Sequence, residues 1–483
     1  YSQNVSFNPA FNFPWIDRFV SITGNYNVRY GWVNPNQIAE VGSNIGYAST
    51  VNASAIFKLN ELFSLFTGTE SSGLRAMGMR RDSVPQESGN KQTLANILKA
   101  IVSFVPKDIS MTFTQTNAVT NGGVGGLPGF GNFWYYPTSK DEYGPSRMYQ
   151  LGFSLDPGPR APNLSQIADN YTSGNEVSLT STINPLFPEA ITMSLTFRQA
   201  WGFTNNQFYT SDALGAVGAP TSKTSSLFTG NSIFFGGDVS DFSFEYDPNN
   251  SAQNRRNITE AFESQISSFP FPNWNLSVTG LEKFPLFSQF ANSVTLENAF
   301  ISEYKESRSV DINSYDIPNA QSVTQAFSPL IGMNINFRDV LAGNLTAALR
   351  LSSGTTNNLN PIGASIQTVK TSEWSLNMNF TKTGFSIPLF GLSLQNDISF
   401  ALTLSRTNNE PILYEYATGL AREVPGNGSR ITQVNPSVQY SLSSKVTMQL
   451  FYKYIKTNPL GQTVTTIPRT TNEGGLNIRI AIQ

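Results

Sequence analysis

The chain of 483 residues carries a formal charge of −2, with 13% charged residues and neither Cys nor His. That composition excludes disulfides, thiolate metal sites, Cys nucleophiles and Ser-His-Asp triads, and the acidic balance gives no footprint for nucleic acid. Aromatic residues reach 12%, with 35 Phe and 18 Tyr, yet mean hydropathy is only −0.21.

Soluble domains carry about 25% charged residues, so a soluble surface built from this chain would be poorly solvated. No stretch approaches the roughly 18 consecutive apolar residues of a membrane-spanning helix. A β-barrel is the other structure that satisfies its backbone hydrogen bonds in lipid, and its alternating faces keep the mean hydropathy low. A soluble sandwich or propeller remains the alternative on composition alone. The chain starts at Tyr1 without Met or a signal peptide, so it is expected to begin inside a longer polypeptide.

Along the chain, the main signal is period-two alternation. Val20, Ile22, Tyr26, Val28, Tyr30 and Trp32 alternate with Ser21, Thr23, Asn25, Asn27 and Arg29. Between Asn90 and Phe104 the pattern changes, because Leu94, Ile97, Leu98, Ile101 and Val102 follow helical spacing. An amphipathic helix over 90–104 should therefore lead into a strand at Ile109–Phe113. Gly122, Gly123, Gly125, Gly126, Pro128, Gly129 and Gly131 then form a glycine-rich loop, folded into the lumen or at the rim. No Lys-Ser/Thr pair follows the glycines as a phosphate loop would need, and no helix opens as a dinucleotide site would need. Instead comes Phe133-Trp134-Tyr135-Tyr136-Pro137.

Alternation resumes around Tyr149–Leu155 and Val177–Ile183. Asn184-Pro185 with Pro188 makes a tight link to a strand carrying Ile191, Met193, Leu195, Phe197, Trp201 and Phe203. The stretch 209–272 is Gly/Ser/Asn-rich, has no sustained alternation and is expected to be a long loop. Inside it, Ile258, Phe262, Ile266 and Phe269 give a weaker helical pattern ending at Pro270. Further strands are expected around Trp274–Val278, Ile331–Phe337, Leu345–Leu351, Trp374–Phe380 and Leu392–Leu404. Three more follow at Val434–Leu442, Val446–Tyr454 and Leu476–Ile482.

In total, 16 to 20 strands are expected, with short turns at one rim and long loops at the other. Several runs reach the ten or so residues that a tilted strand needs to cross a bilayer, against five or six for a soluble strand. The expected fold is therefore all-β: a transmembrane antiparallel β-barrel over 1–483, with one or two short helices in loops. Trp134, Tyr135, Tyr136, Trp274 and Tyr454 are candidates for its interfacial aromatic girdles, the alternative being packing between loops. Carboxylate pairs such as Asp141/Glu142 and Glu260/Glu263 read as solvated loop residues. The Asn-x-Ser/Thr triplets at Asn163, Asn275 and Asn379 are expected by chance in so Asn-rich a chain.

Phe271-Pro272-Asn273-Trp274-Asn275-Leu276, continuing to Thr279-Gly280-Leu281, resembles a stretch of the SprA family, the giant outer-membrane translocon of the type IX secretion system. Val294-Thr295-Leu296, Phe327-Ser328-Pro329-Leu330-Ile331, Leu127-Pro128-Gly129-Phe130, the Tyr30-Gly31-Trp32 strand and the Ile45–Leu59 strand are similar too, in family order. The 67–81 region looks shorter than the family's, and the last strand ends in Gln483 rather than an aromatic.

The resemblance implies a segment of a very large, laterally opening barrel belonging to a longer polypeptide. Such a barrel passes folded cargo with a C-terminal sorting domain through the outer membrane of a Gram-negative bacterium. Implied partners are outer-membrane lipids, the rest of the same polypeptide, a PorV-type shuttle barrel and a periplasmic plug protein. It implies neither cofactor nor catalytic residue, so the chain is expected to be a conduit rather than an enzyme. A self-contained porin or uptake channel and a soluble β-rich adhesin are the competing readings.

Overall fold

A computed structural model describes residues 2–9, 11, 17–33, 42–59, 61, 108–126, 144–161, 166–183, 191–210, 221–231, 235–266, 272–310, 317–389, 392–443, 445–461 and 467–481. The expected helix at 90–104 lies outside them. Among the described residues, seventeen strands form one antiparallel sheet. They are β1 Ser2–Phe7, β2 Val20–Val33, β3 Ser43–Lys58, β4 Asp108–Val124, β5 Gln166–Ile183, β6 Ile191–Thr210, β7 Thr221–Asn231, β8 Asn273–Val278 and β9 Ala291–Val310. After them come β10 Pro318–Phe337, β11 Asn344–Asn360, β12 Ser365–Leu389, β13 Leu392–Glu415, β14 Arg422–Pro425, β15 Gly428–Ser441, β16 Val446–Leu460 and β17 Arg469–Ile480.

The cross-strand registers give the sheet two opposite faces. Leu404 of β13 lies opposite Val434 and Leu376, and Tyr454 lies opposite Val434. Leu376 in turn lies opposite Leu349, which continues through Met333 and Leu296 to Val278. One apolar file thus runs across eight strands. One residue along, Asn435, Thr403, Asn377, Ala348, Asn334 and Thr295 make a file of small and polar residues on the other face. Alternation within each strand becomes two continuous surfaces because the registers keep parity from strand to strand.

The apolar band has a limited height. On β13 it runs from Ile398 through Phe400 and Leu402 to Leu404, and Arg406 ends it. At about 3.3 Å per residue this covers roughly 20 Å, close to the ~25 Å apolar band of a membrane barrel. Lys456 of β16 and Arg406 flank Thr432 in the same row, so cationic side chains mark one margin. Beyond that margin the strands continue, and two covers pack on them.

The first cover, 144–161, contains the helical turn α1, Arg147–Gln150. The second, 235–266, contains α2, Ser251–Glu263, which Asn250 caps by accepting from the Gln253 N–H. Ile258 and Phe262 of α2 are buried with Tyr304, Val323, Leu359, Ile366 and Tyr414 of five strands. The registers place those strand residues on the same face as the apolar band. The sheet beyond the band is therefore covered from the apolar side, and the polar face stays open.

Four expectations change. Tyr149–Leu155 is no strand: α1 and a bend at Gly152, with φ +79°, break it. Its alternation does not mark two faces, since Tyr149 and the adjacent Gln150 are both buried while Phe153 and Leu155 are both exposed. The 209–272 stretch is not all loop, because β7 lies in it. Facing the band side, β7 presents Thr224, Ser226, Phe228 and Gly230 opposite Asn205, Phe203, Trp201 and Gln199. It lies beyond the band, where no apolar periodicity is required, and so it escapes a hydropathy pattern. The helical pattern at Ile258 and Phe262 is α2, and it places Glu260 and Glu263 on a helix rather than in a loop. Finally, the long connections do not sort cleanly by rim, since the second cover, 235–266, lies in sequence between β7 and β8, which share one lane of the wall.

The facing of β13 is directly testable. An Arg at a lipid-facing mid-bilayer position costs about 2–4 kcal/mol. Leu402→Arg should impair membrane assembly, while Thr403→Arg should be largely tolerated. Cys placed at each position should report the same split, as this chain has no other Cys. A water-soluble maleimide should label position 403 and spare position 402; equal labelling of both would refute the facing.

Candidate functional site, a polar wall and an interrupted strand

The polar face is built from Ser, Thr and Asn with few charges. Depressions along it are lined by Asn334, Asn336, Asn377, Asn379 and Thr403, or by Ser110, Thr180, Ser194 and Thr196. Some of its charges are paired. Arg198 donates two hydrogen bonds of 2.8 Å to the Glu176 carboxylate on the neighbouring strand. Lys305 lies 2.8 Å from Glu303 two residues away. Such a wall offers hydrogen bonds but little net charge.

The wall is interrupted at one place. β7 and β8 occupy the same lane between β6 and β9, one above the other. β7 pairs with Gln199–Phe208 of β6 and Glu303–Val310 of β9. β8 pairs with Ile191–Thr196 and Leu296–Phe300 of the same two strands. Between Asn231, where β7 ends, and Asn273, where β8 begins, the chain contains the second cover, 235–266. Phe197 and Arg198 on one side, and Ile301 and Ser302 on the other, fall between the two registers.

Local side chains repair the break. Asn273 Oδ1 accepts the Ser302 backbone N–H at 2.8 Å. Trp274 stacks on Phe300 with centroids 4.6 Å apart, and Phe327 lies 5.0 Å from Phe300 and 6.1 Å from Trp274. Trp274 Nε1–H donates to Asn298 Oδ1 at 2.8 Å, and Asn298 Nδ2–H donates to the Leu330 carbonyl at 2.7 Å. That carbonyl sits where the β10–β11 register shifts between Phe327 and Ile331. Two stretches carrying the family resemblance, around Trp274 and around Phe327, thus meet at the interrupted strand.

Polar contacts hold the covers down. Gln321 is 1% exposed and donates to Glu263 of α2 at 2.7 Å and to the Tyr304 hydroxyl at 2.8 Å. The Tyr416 hydroxyl donates to the Val239 carbonyl at 2.7 Å. Asp238 accepts from the Ser240 N–H, which holds its carboxyl below the usual carboxylate range. In the first cover Tyr149 is fully buried and donates to Asn121 Oδ1 at 2.6 Å. Burial raises its phenol above the ordinary value, so it stays a neutral donor. Arg160 pairs with Asp169 and also donates to the Gly122 carbonyl.

Among the sequence candidates, Trp274 lies in the aromatic cluster at the break, and Tyr454 sits one row below Lys456 at the band margin. Trp134, Tyr135 and Tyr136 lie outside the described residues, as do Pro128, Gly129 and Gly131. Gly122 and Gly123 belong to the end of β4 rather than to a free loop. Gly125 donates its N–H to the Pro159 carbonyl, and Gly126 has φ +81°, as the chain turns away. Asn298 and Gln321 carry no sequence signal, and Asn273 shows only as part of the family-like stretch, because their partners are set by register across strands.

No family model and no curated protein matches the chain. Its backbone is similar to the ferric-catecholate import receptor Fiu from E. coli K12. For the closed form, sequence identity is 10% and the TM-score 0.29, covering 95% of this chain and 64% of the receptor. The open form gives 10% identity and a TM-score of 0.28, covering 99% of this chain and 71% of the receptor. The chain thus spans 64% of the length of the closed-form receptor. At such scores the likeness carries no argument, and the fold rests on the registers above.

Substitutions at the break and under the second cover separate the two devices. Asn273→Ala removes the acceptor of the Ser302 N–H and should cost about 1–3 kcal/mol in a denaturant titration in detergent. Phe262→Ala empties a fully buried site and should cost about 3–5 kcal/mol, chiefly as faster proteolysis within 235–266. Uniform proteolysis of the whole chain would show that the cover is not a separate unit.

Proposed function

We propose that the chain is a section of wall in an outer-membrane conduit for proteins, akin to the SprA translocon of type IX secretion. The observation that carries the membrane reading is the apolar file from Tyr454 to Val278, with the polar file one residue away. A wall of hydroxyls and amides with few charges suits a passage that must not retain a folded protein. Binding sites for small solutes instead converge a few polar groups in an apolar pocket. The order and meeting of the Trp274 and Phe327 stretches support the family reading. On that reading the partners are outer-membrane lipids, the remainder of the polypeptide, a PorV-type shuttle barrel, a periplasmic plug and cargo with a C-terminal sorting domain. We assign the chain no catalytic role.

Depletion of the parent protein should trap sorting-domain cargo in the periplasm, while small-solute uptake continues. Extraction should require detergent, and mild detergent should bring along a second small barrel and a plug. Isolation as a lone barrel with free small-solute conductance, and normal cargo secretion on depletion, would favour the porin reading instead. Recovery as a soluble monomer would defeat both.

A further inference from the structure

The first cover buries one side and exposes another. Tyr149 lies edge-on to Tyr47 and Tyr30, with centroids 5.2 and 6.2 Å away. It fixes the cover over Val28, Tyr30 and Trp32. Met148, Phe153 and Leu155 of the same short segment are 45%, 60% and 54% exposed. Three large apolar side chains left outward on a pinned segment call for an apolar environment.

Their position identifies that environment. Phe153 stacks on Tyr26 with centroids 5.3 Å apart and 12° between planes. Tyr26 also donates to the Leu151 carbonyl, tying the ring to the cover. On β2 the residue below, Gly24, lies in a row with Ala53, Phe113 and Val177, which belongs to the apolar band. Tyr26 itself lies in a row with Val51, Gln115 and Asn175, where the band gives way to polar residues. Phe7 of β1 also stacks on Tyr26, with centroids 6.4 Å apart, and Phe11 would meet any side chain added at Gly24. The exposed edge of the cover therefore continues the apolar band at its polar margin, the depth at which aromatic side chains favour a bilayer.

We propose that Met148, Phe153 and Leu155 anchor the first cover in the interface of the bilayer that the band crosses. The occupant is lipid, and the proposal rests on the membrane reading of the chain. α1 presents Tyr149 and Gln150 to the sheet and Met148 outward, as an interfacial element should. The anchor acts together with Tyr149 and the Arg160–Asp169 pair to fix the cover over β2–β4.

Nitroxide labels on single Cys substitutions in the full-length protein, in liposomes, test this. Leu402→Cys and Thr403→Cys are the mid-band and lumen references, and Met148→Cys and Leu155→Cys probe the cover with Phe153 intact. Collision with oxygen reports lipid, and collision with a water-soluble nickel chelate reports water. The oxygen-to-nickel ratio at 148 and 155 should fall between those at 402 and 403. A ratio at both cover sites equal to that at 403 would overturn the anchor while leaving the barrel intact. Shielding from both reagents would put a protein on this edge and overturn it as well. Equal ratios at 402 and 403 would instead defeat the membrane reading itself.

Discussion

Backbone hydrogen bonding in a medium that offers no partners is the constraint on which this structure depends. Within lipid, every N–H and C=O must be paired inside the protein. Long strands in unbroken register meet that demand, and they also keep parity from one strand to the next. The apolar file across β16, β15 and β13 through β8 is a consequence of that parity. A single-residue slip of any strand would turn its own lipid-facing residues toward the lumen. The β10 irregularity near Phe327 is accordingly supplied with Asn298, which takes the Leu330 carbonyl.

Away from the band the demand relaxes, and the chain becomes irregular there. The covers pack on strand segments that have left the apolar zone, and buried tyrosines and glutamines do the fastening. Tyr149, Tyr304, Tyr416 and Gln321 each join a large contact area to a directed hydrogen bond. Such groups suit a boundary between a wet rim and an apolar wall, where a purely aliphatic core would leave backbone carbonyls unsatisfied.

This division explains what could be read from the sequence. The strands with residues in the band, such as β2, β6 and β13, were legible because lipid enforces their alternation. β7 was not, because beyond the band its residues answer to a cover rather than to lipid. Tyr149–Leu155 imitated a strand in residue spacing alone, for Tyr149 and Gln150 are both buried while Phe153 and Leu155 are both exposed. The helix α2 was legible from Ile258 and Phe262. Asn298 and Gln321 were invisible, and Asn273 showed only as part of the family-like stretch, since each matters through a partner that only the register brings near.

The interrupted strand has a topological consequence. β7 and β8 are separated in their lane by only two residues of each neighbouring strand, a slit of about 7–10 Å at ~3.3 Å per residue. A helix with its side chains is about 10–12 Å across. Once β6 and β9 are both zipped onto the two halves, α2 has no passage through the slit. The side of the sheet on which the second cover comes to rest is therefore chosen during assembly, and afterwards only unzipping the wall could change it.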